Sequence, residues 1–133
     1  DLVEARIRHA ERAEYDAPSF RVLPPALKER YFAPVGSRFK VKSWFGIPVH
    51  FRVLNLLDIG EAYTPGFFDA VFCRNVLIYF GDAMVYRICG LFHKLLAREG
   101  ALFLGHSESL LGRTHLFRPQ RASDFIYYVR LEP

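Results

Sequence analysis

Arg74 and Asn75 interrupt an otherwise apolar segment, residues 68–80, which has the sequence FDAVFCRNVLIYF. The apolar run before the pair has the length and composition of a buried parallel strand. A buried polar group without a partner costs several kcal/mol, so we expect the strand to end at Cys73 and the pair to face a cleft. Open α/β sheets bind their ligands at the carboxyl ends of the strands. The sequence therefore predicts a site at Arg74 and Asn75.

Two other predicted strands also end in polar residues. Asn55 follows the apolar run FRVL, and His106, Ser107 and Glu108 follow FLG. The carboxyl ends of parallel strands meet at one edge of a sheet, so all three polar groups are expected to converge there. The alternative is that each group simply begins a polar loop.

Four single residues each have two interpretations. Asp1 is either a helix cap, which the periodicity alone favours, or an acid that binds ribose hydroxyls at the end of a strand. His106 and Glu108 suit either acid–base work or a structural hydrogen-bonding role. Tyr79 is either a core residue with a satisfied hydroxyl or directs that hydroxyl at a substrate. No Walker loop, G-x-S-x-G or HExxH motif occurs in the sequence.

The elements of the first half of the chain are predicted from periodicity. Apolar residues at helical spacing indicate a helix over residues 1–15, with Asp1 and Glu4 resembling a capping box. Alternation over residues 37–53 indicates an antiparallel hairpin or three-stranded ribbon with turns near Gly36 and Gly46. It continues into a strand that ends at Asn55.

The second half follows a strand–helix–strand pattern. A strand over about 69–73 precedes a helix that begins at Gly81 and reaches about Arg98, closed by Gly100. A strand at 101–105 and a final strand, DFIYYVRL, complete the chain. The apolar stripe of the helix consists of Val85, Ile88, Phe92, Leu95 and Leu96. Continuous rather than alternating apolar strands indicate an α/β fold with a parallel sheet covered on both faces.

The composition limits the classes of function. The chain has 133 residues, 51% of them hydrophobic, which suits one domain or part of one. No apolar run is long enough for membrane insertion, and the net charge of +4 comes from scattered Lys and Arg, which argues against nucleic-acid binding. Cys73 and Cys89 lack metal-type spacing, which favours a reducing, cytoplasmic location. Because Met84 is the only methionine and Asp1 opens the chain, we interpret it as a processed product or a piece of a longer protein.

The motifs CRNVLIYF and GHSES together resemble the C-terminal half of the CheR-type chemotaxis methyltransferases. Upstream, LPPALKERYF and VHFRVLNLLD are similar to the small β-subdomain of that family and the strand after it. The resemblance implies the C-terminal portion of a Rossmann-like S-adenosylmethionine methyltransferase sheet with a small antiparallel β-subdomain. Residues 1–19 would be a helix of the methyltransferase domain, 20–50 the receptor-contact subdomain, and 51–133 the C-terminal half of the methyltransferase domain.

The resemblance also implies a function, that of a protein-glutamate O-methyltransferase. It would transfer a methyl group from S-adenosylmethionine to glutamates on the cytoplasmic helices of chemoreceptors, leaving S-adenosylhomocysteine. A cytoplasmic monomer that uses no metal is implied. The implied roles are Asp1 at the ribose diol, Asn55 and Leu56 at the adenine, Arg74 and Asn75 in the cofactor pocket, and Tyr79 near the methyl-transfer site.

The glycine-rich cofactor loop and the N-terminal helical domain of that family would precede Asp1. We therefore expect this chain to be a fragment that is inactive alone. The subdomain could take an extended peptide by strand addition. The turn after RYF is short, however, which indicates a member that does not tether to a receptor tail. The alternative function is a non-catalytic signalling module that binds a partner through the β-subdomain.

Overall fold

The computed structural model describes residues 1–42 and 48–132, which fall into two compact units, Asp1–Asn55 and Leu56–Pro133. Each unit has its own sheet. The predicted turn near Gly46 lies outside the described residues. Within them, no helix has both the length and the apolar character needed to cross a bilayer.

The first unit is a small antiparallel sheet with two helices. Its elements are α1 (Glu4–Arg12), β1 (Glu14–Tyr15), α2 (Pro25–Tyr31), β2 (Phe32–Val35) and β3 (Arg38–Val41), with a 3₁₀ turn at Ala17–Phe20. The strand order is β1-β3-β2, all antiparallel. Gly36 has φ of +57° in the two-residue turn between β2 and β3, which confirms the predicted turn.

An aromatic cluster holds this sheet together. Phe20 is buried, and its ring lies edge-on to Phe32 and Phe39 at centroid distances of 4.8 and 5.2 Å. The Lys28 ammonium lies 3.5 Å from the centroid of the Phe39 ring, a cation–π contact. The 3₁₀ turn and α2 are therefore fastened to one face of the sheet.

The predicted strand ending at Asn55 is wrong as a strand, since residues 48–55 have no regular secondary structure. The third strand of the small sheet is β1 instead. The segment does pair with the first residue, because Asp1 N donates to Arg52 O at 3.3 Å and Leu54 N donates to Asp1 O at 3.1 Å. These two bonds form one step of a parallel ladder around Val53. A single step is too short to constitute a strand.

The second unit is a mixed sheet packed against one long helix. Its elements are α3 (Ile59–Ala62), β4 (Phe68–Cys73), α4 (Asp82–Leu95), β5 (Leu96–Leu104), β6 (Phe117–Ala122) and β7 (Phe125–Arg130), with 3₁₀ turns at Leu56–Asp58 and Leu77–Tyr79. The strand order is β4-β5-β7-β6, in which only β4 and β5 are parallel. The α/β class with a second, antiparallel sheet is confirmed. The all-parallel arrangement is wrong, because β7 and β6 form a terminal hairpin.

The predicted apolar stripe supplies much of the buried interior of this unit. All five of its residues are buried, four on α4 and the fifth, Leu96, at the start of β5. Leu102 on β5 and Tyr128 on β7 are buried as well. Each such side chain contributes about 1.5–3 kcal/mol of hydrophobic stabilisation relative to an exposed position. On the opposite face of the sheet, Phe72 is 71% exposed and stacks on Phe103 at 4.6 Å. The prediction of a sheet covered on both faces is therefore wrong for this unit.

Two boundaries differ from the sequence prediction. Helix α4 ends at Leu95, and Leu96 is already extended, so Gly100 does not close the helix. A Cβ at Gly100 would lie 2.9 Å from Leu96 Cδ2 and 3.0 Å from Ala97 O, so glycine lets the backbone of β5 bend closely on itself where the β4–β5 register shifts. Strand β6 was missed because Pro119 and its polar neighbours obscure the pattern. As an edge strand, β6 tolerates a proline.

Candidate functional site

The polar pair follows β4 directly, as predicted. Cys73 is the buried last residue of β4, whereas Arg74 and Asn75 are exposed. Asn75 has φ of +57°, a left-handed conformation that asparagine adopts more readily than most residues. Leu77 then returns to the core, completely buried. The strand thus ends in a sharp reversal that leaves the Arg74 and Asn75 side chains outside the core.

Glu108 holds this reversal in place. Its Oε2 accepts hydrogen bonds from Asn75 N and Gly105 N, both at 2.7 Å, and its Oε1 accepts from Val76 N at 2.9 Å and Leu77 N at 2.7 Å. The residue is only 9% exposed. One carboxylate therefore joins the ends of β4 and β5 through four backbone donors.

The electrostatics of Glu108 decide between its two interpretations. Burial alone raises the pKa of the carboxyl, but the four backbone hydrogen bonds outweigh burial, and the net pKa lies below its usual value. An ionised carboxylate has about four lone-pair positions, and all four are engaged by the backbone. Glu108 therefore serves a structural hydrogen-bonding role and not acid–base chemistry. Its neighbour His106 is exposed.

Gly105 makes room for this arrangement. A Cβ at that position would lie 2.6 Å from Asn75 Oδ1 and 2.8 Å from Glu108 Oε2. The turn also closes on itself, since Glu108 N donates to Gly105 O at 3.0 Å while Gly105 N donates to the Glu108 side chain. A glycine followed three residues later by glutamate, directly after a buried strand, is the signal in the sequence that could have identified this contact.

A cavity of about 590 Å³ lies beside the ends of β4 and β5. Its lining includes the aromatic side chains of Phe72, Phe103 and Phe125 and the polar side chains of Arg74, His106 and Asp124. Aromatic faces can stack against a flat or apolar group, and the guanidinium can pair with a carboxylate. Arg74, one of the predicted site residues, therefore lines this cavity.

Tyr79 lies on the 3₁₀ turn after the polar pair and is 80% exposed. The core interpretation of this residue is therefore wrong. Arg113 fixes the end of the turn, because its Nη2 donates to Phe80 O at 3.2 Å and its Nε to Asp82 Oδ1 at 2.8 Å. The phenol is presented on an anchored turn.

Asp1 and Asn55 belong to the first unit, together with the ladder step at Arg52 and Leu54. Asp1 Oδ1 accepts from Val3 N at 2.9 Å, and Val3 occupies the cap position of α1. The predicted capping box of Asp1 and Glu4 is therefore wrong, because the helix begins two residues later than that motif requires. The exposed Asp1 carboxylate sits next to the segment that ends in Asn55.

Leu56 begins the second unit and packs against its core from the first 3₁₀ turn. Among the predicted cofactor residues, Asp1 and Asn55 belong to the first unit, and Leu56, Arg74 and Asn75 belong to the second. The cofactor roles of all five residues stay predictions.

The two cysteines carry no nucleophilic chemistry at neutral pH. Burial, with smaller contributions from the charge of Glu108 and from Cys89, raises the pKa of the Cys73 thiol to about 12. Burial likewise raises the pKa of the Cys89 thiol to about 11, against a lowering effect of Arg113. Across the described ranges, no group of His, Cys, Asp and Glu side chains is arranged to hold a metal.

Comparisons with known proteins agree on one family. The family model described as CheR methyltransferase, SAM binding domain, matches residues 1–126. Chemotaxis protein methyltransferase 1 of Pseudomonas aeruginosa is 39% identical over 130 residues, covering 96% of this chain and 47% of the relative. Chemotaxis protein methyltransferase Cher2 of Pseudomonas putida is 38% identical over 130 residues, covering 96% and 46%.

A relative named for a different process is similar over the whole chain. The probable biofilm formation methyltransferase WspC of Pseudomonas putida is 35% identical over 133 residues, covering 99% of this chain and 31% of the relative. The chain therefore spans less than half the length of these curated relatives.

Proposed function

The chain belongs to the CheR methyltransferase family, and from this membership we propose that the protein carrying it methylates glutamate side chains of chemoreceptors. S-adenosylmethionine would be the donor and S-adenosylhomocysteine the product. The observation that carries the proposal is the family match over residues 1–126, which includes the Arg74–Asn75 reversal and the Glu108 contacts that fix it. The receptor helices that carry such glutamates are cytoplasmic, so we place the protein in the cytoplasm, as a monomer.

The residues present fit the groups of the cofactor. The exposed Asp1 carboxylate can accept hydrogen bonds from a ribose diol, and the Arg74 guanidinium can pair with a carboxylate. Asn75 can both donate and accept, and we assign it with Arg74 to the pocket wall. Asn55 and Leu56 are assigned to the adenine, with an amide for its edge and an apolar side chain for its face.

For this reaction, the main task of the protein is to align the methyl donor with the substrate carboxylate. When bound, S-adenosylmethionine supplies a methyl group already activated by the sulfonium. A substrate glutamate is ionised at neutral pH, since its unperturbed pKa is about 4.3, so no catalytic base is needed. The protein must hold the two groups in line and exclude water. We assign to Tyr79, exposed on its anchored turn, a positioning role near the transferred methyl group.

The edge strand β2 of the β-subdomain determines whether a peptide could be added to the small sheet. Tyr31 O accepts from Lys42 N at 3.0 Å, so Tyr31 directs its backbone groups toward β3. Backbone direction alternates along a strand, which means that Phe32 and Pro34 direct theirs toward the open edge of β2. An added peptide strand would have to pair with these two residues.

The open edge of β2 lacks the donors that strand addition requires. Phe32 N already donates to Lys28 O at the end of α2, and Pro34 has no N–H. We therefore propose that the protein recognises its substrate helices without capturing a receptor tail on this edge. The same geometry disfavours the alternative function, a non-catalytic module that binds a partner by strand addition here.

A methylation assay tests the proposal. The natural gene product that carries this chain is incubated with labelled S-adenosylmethionine and receptor cytoplasmic fragments, and modified glutamates are located by mass spectrometry. Fragments with and without their C-terminal tail should be methylated at equal rates. Failure to methylate either fragment would contradict the proposed activity, whereas loss of activity on removal of the tail would contradict only the proposed recognition mode.

A calorimetric titration with S-adenosylhomocysteine tests the cofactor assignment. Asn75→Ala should weaken binding by about tenfold or more, since it removes the side chain and its hydrogen bonds, worth about 0.5–1.5 kcal/mol each. The melting temperature should fall only modestly, because the side chain is exposed and the expected cost is limited to placing alanine at the positive φ of Asn75. Gln120→Ala on β6 removes a comparable amide and serves as the control. A large loss of stability with unchanged affinity would make Asn75 structural.

A further inference from the structure

The ends of β4 and β5 meet through a side chain, and this contact fixes the site. The four donors to Glu108 belong to three consecutive residues after β4 and to Gly105 after β5. Hydrogen bonds to an ionised group are shorter and stronger than neutral ones, and three of these four are 2.7 Å long. These four bonds therefore hold the backbone of residues 75–77 beside the end of β5.

That backbone determines where two predicted cofactor residues present their side chains. Asn75 is held in a left-handed conformation, which costs energy for any residue other than glycine and persists only when its surroundings impose it. The bonds from Asn75 N, Val76 N and Leu77 N to the Glu108 carboxylate hold the backbone at Asn75 and just after it, and so support this conformation. Arg74 lies between the buried last residue of β4 and Asn75, whose backbone N–H is bound to Glu108.

Resting on the proposed function, we propose that Glu108 is a positioning residue, whose carboxylate sets the direction in which Arg74 and Asn75 face the cofactor. It touches no substrate itself, because all of its acceptor positions are filled by the backbone. Glu108 affects cofactor affinity indirectly, by setting the conformation of the loop that carries Arg74 and Asn75. A positioning role differs from general stabilisation in that it changes the affinity of molecules that are correctly folded.

Glu108→Gln is the sharpest substitution for this purpose. It preserves size and shape but replaces one acceptor oxygen with an NH₂ group, which would face two backbone N–H donors. The loop must then shift to separate these donors. Glu99→Gln makes the same chemical change at an exposed position of β5 and is the matched control.

The experiment uses the natural gene product and two measurements. Calorimetry with S-adenosylhomocysteine separates the Kd from the number of competent molecules, and hydrogen exchange follows the amides of Asn75, Val76, Leu77 and Gly105. We expect Glu108→Gln to raise the Kd at least tenfold at unchanged stoichiometry and to accelerate exchange of those amides at least tenfold. Glu99→Gln should match the unaltered protein in both.

Two results would overturn the inference. If Glu108→Gln lowers only the stoichiometry and leaves the Kd unchanged, the residue stabilises the fold without positioning the site, and the proposed function stands. If the unaltered protein does not bind the ligand, the proposed function fails and the inference fails with it. If the glutamine variant does not fold, Glu108→Asp replaces it, because aspartate keeps the negative charge on a side chain that is one methylene shorter. A raised Kd at unchanged stoichiometry again supports the inference, and a lowered stoichiometry at unchanged Kd again contradicts it.

Discussion

Replacing Gly105 with alanine tests how tightly the two strand ends are joined. The added Cβ would lie 2.6 Å from Asn75 Oδ1 and 2.8 Å from Glu108 Oε2, well inside contact distance. The Asn75 side chain can rotate away, since it is exposed. The Glu108 carboxylate has no such freedom, because any shift away from the new Cβ lengthens its four hydrogen bonds. The clash is therefore relieved only by straining the backbone of the loop that donates those bonds.

The expected cost is about 2 kcal/mol. Overpacking of a tight site costs about 1–3 kcal/mol, and part of two charge-assisted hydrogen bonds at Oε2 is lost as well. Since about 1.4 kcal/mol corresponds to a factor of ten, the amides of Asn75 and Gly105 should exchange with solvent about 30-fold faster. Hydrogen exchange measured by mass spectrometry or NMR reports this opening locally, whatever the stability of the other unit.

Gly90→Ala is the matched control. Gly90 lies inside α4, and beyond the backbone of that helix a Cβ there would meet no atom of the described residues within 4 Å. Alanine should therefore stabilise the helix by about 0.5–1 kcal/mol. The two glycine substitutions thus have opposite expected signs. Unchanged or slower exchange in Gly105→Ala would refute the argument, because it would mean that Glu108 can shift without losing its donors.

Two further predictions concern titratable groups. The Cys73 thiol, whose pKa is raised to about 12, has a thiolate fraction roughly 1,000-fold smaller than a thiol at 9.0, so it should resist alkylation at pH 8 until the protein unfolds; rapid labelling of the native protein would contradict its burial. Because the pKa of Glu108 is lower in the folded protein, its contribution to stability is present above the ordinary carboxyl range and is lost as the pH falls through the folded value. The difference in urea stability between the unaltered protein and Glu108→Gln should therefore shrink below about pH 4, and a difference that grows on acidification would oppose the assignment.

Local patterns in the sequence were sufficient for the helix α4, the end of β4 and the turn between β2 and β3. The apolar stripe of α4 was predictable because helical spacing places Val85, Ile88 and Phe92 on one face, where all three join the same core. The end of β4 at Cys73 was predictable because a charge and an amide cannot follow it into the core. The turn at Gly36 was predictable because glycine adopts the required positive φ.

What the sequence could not supply was pairing between distant residues. Strand β1 has only two residues and exists because β3 accepts it as a neighbour. Strand β6 contains Pro119, which excludes it from the centre of a sheet but not from the edge. The register shift between β4 and β5 depends on how two strands far apart in the sequence pair, which no periodicity reveals. In each case the deciding contact is made elsewhere in the chain.

Glu108 shows how such a distant contact changes the interpretation of a motif. Beside a histidine and a serine, a glutamate suggests acid–base chemistry, and nothing in the local sequence opposes that interpretation. The structure gives it four backbone partners, three of them more than 30 positions away along the chain. A carboxylate with every acceptor position filled and a lowered pKa cannot exchange a proton near neutral pH. The glutamate of the motif therefore has a structural role at the strand ends, and Arg74 and Asn75, beside it, keep their side chains exposed.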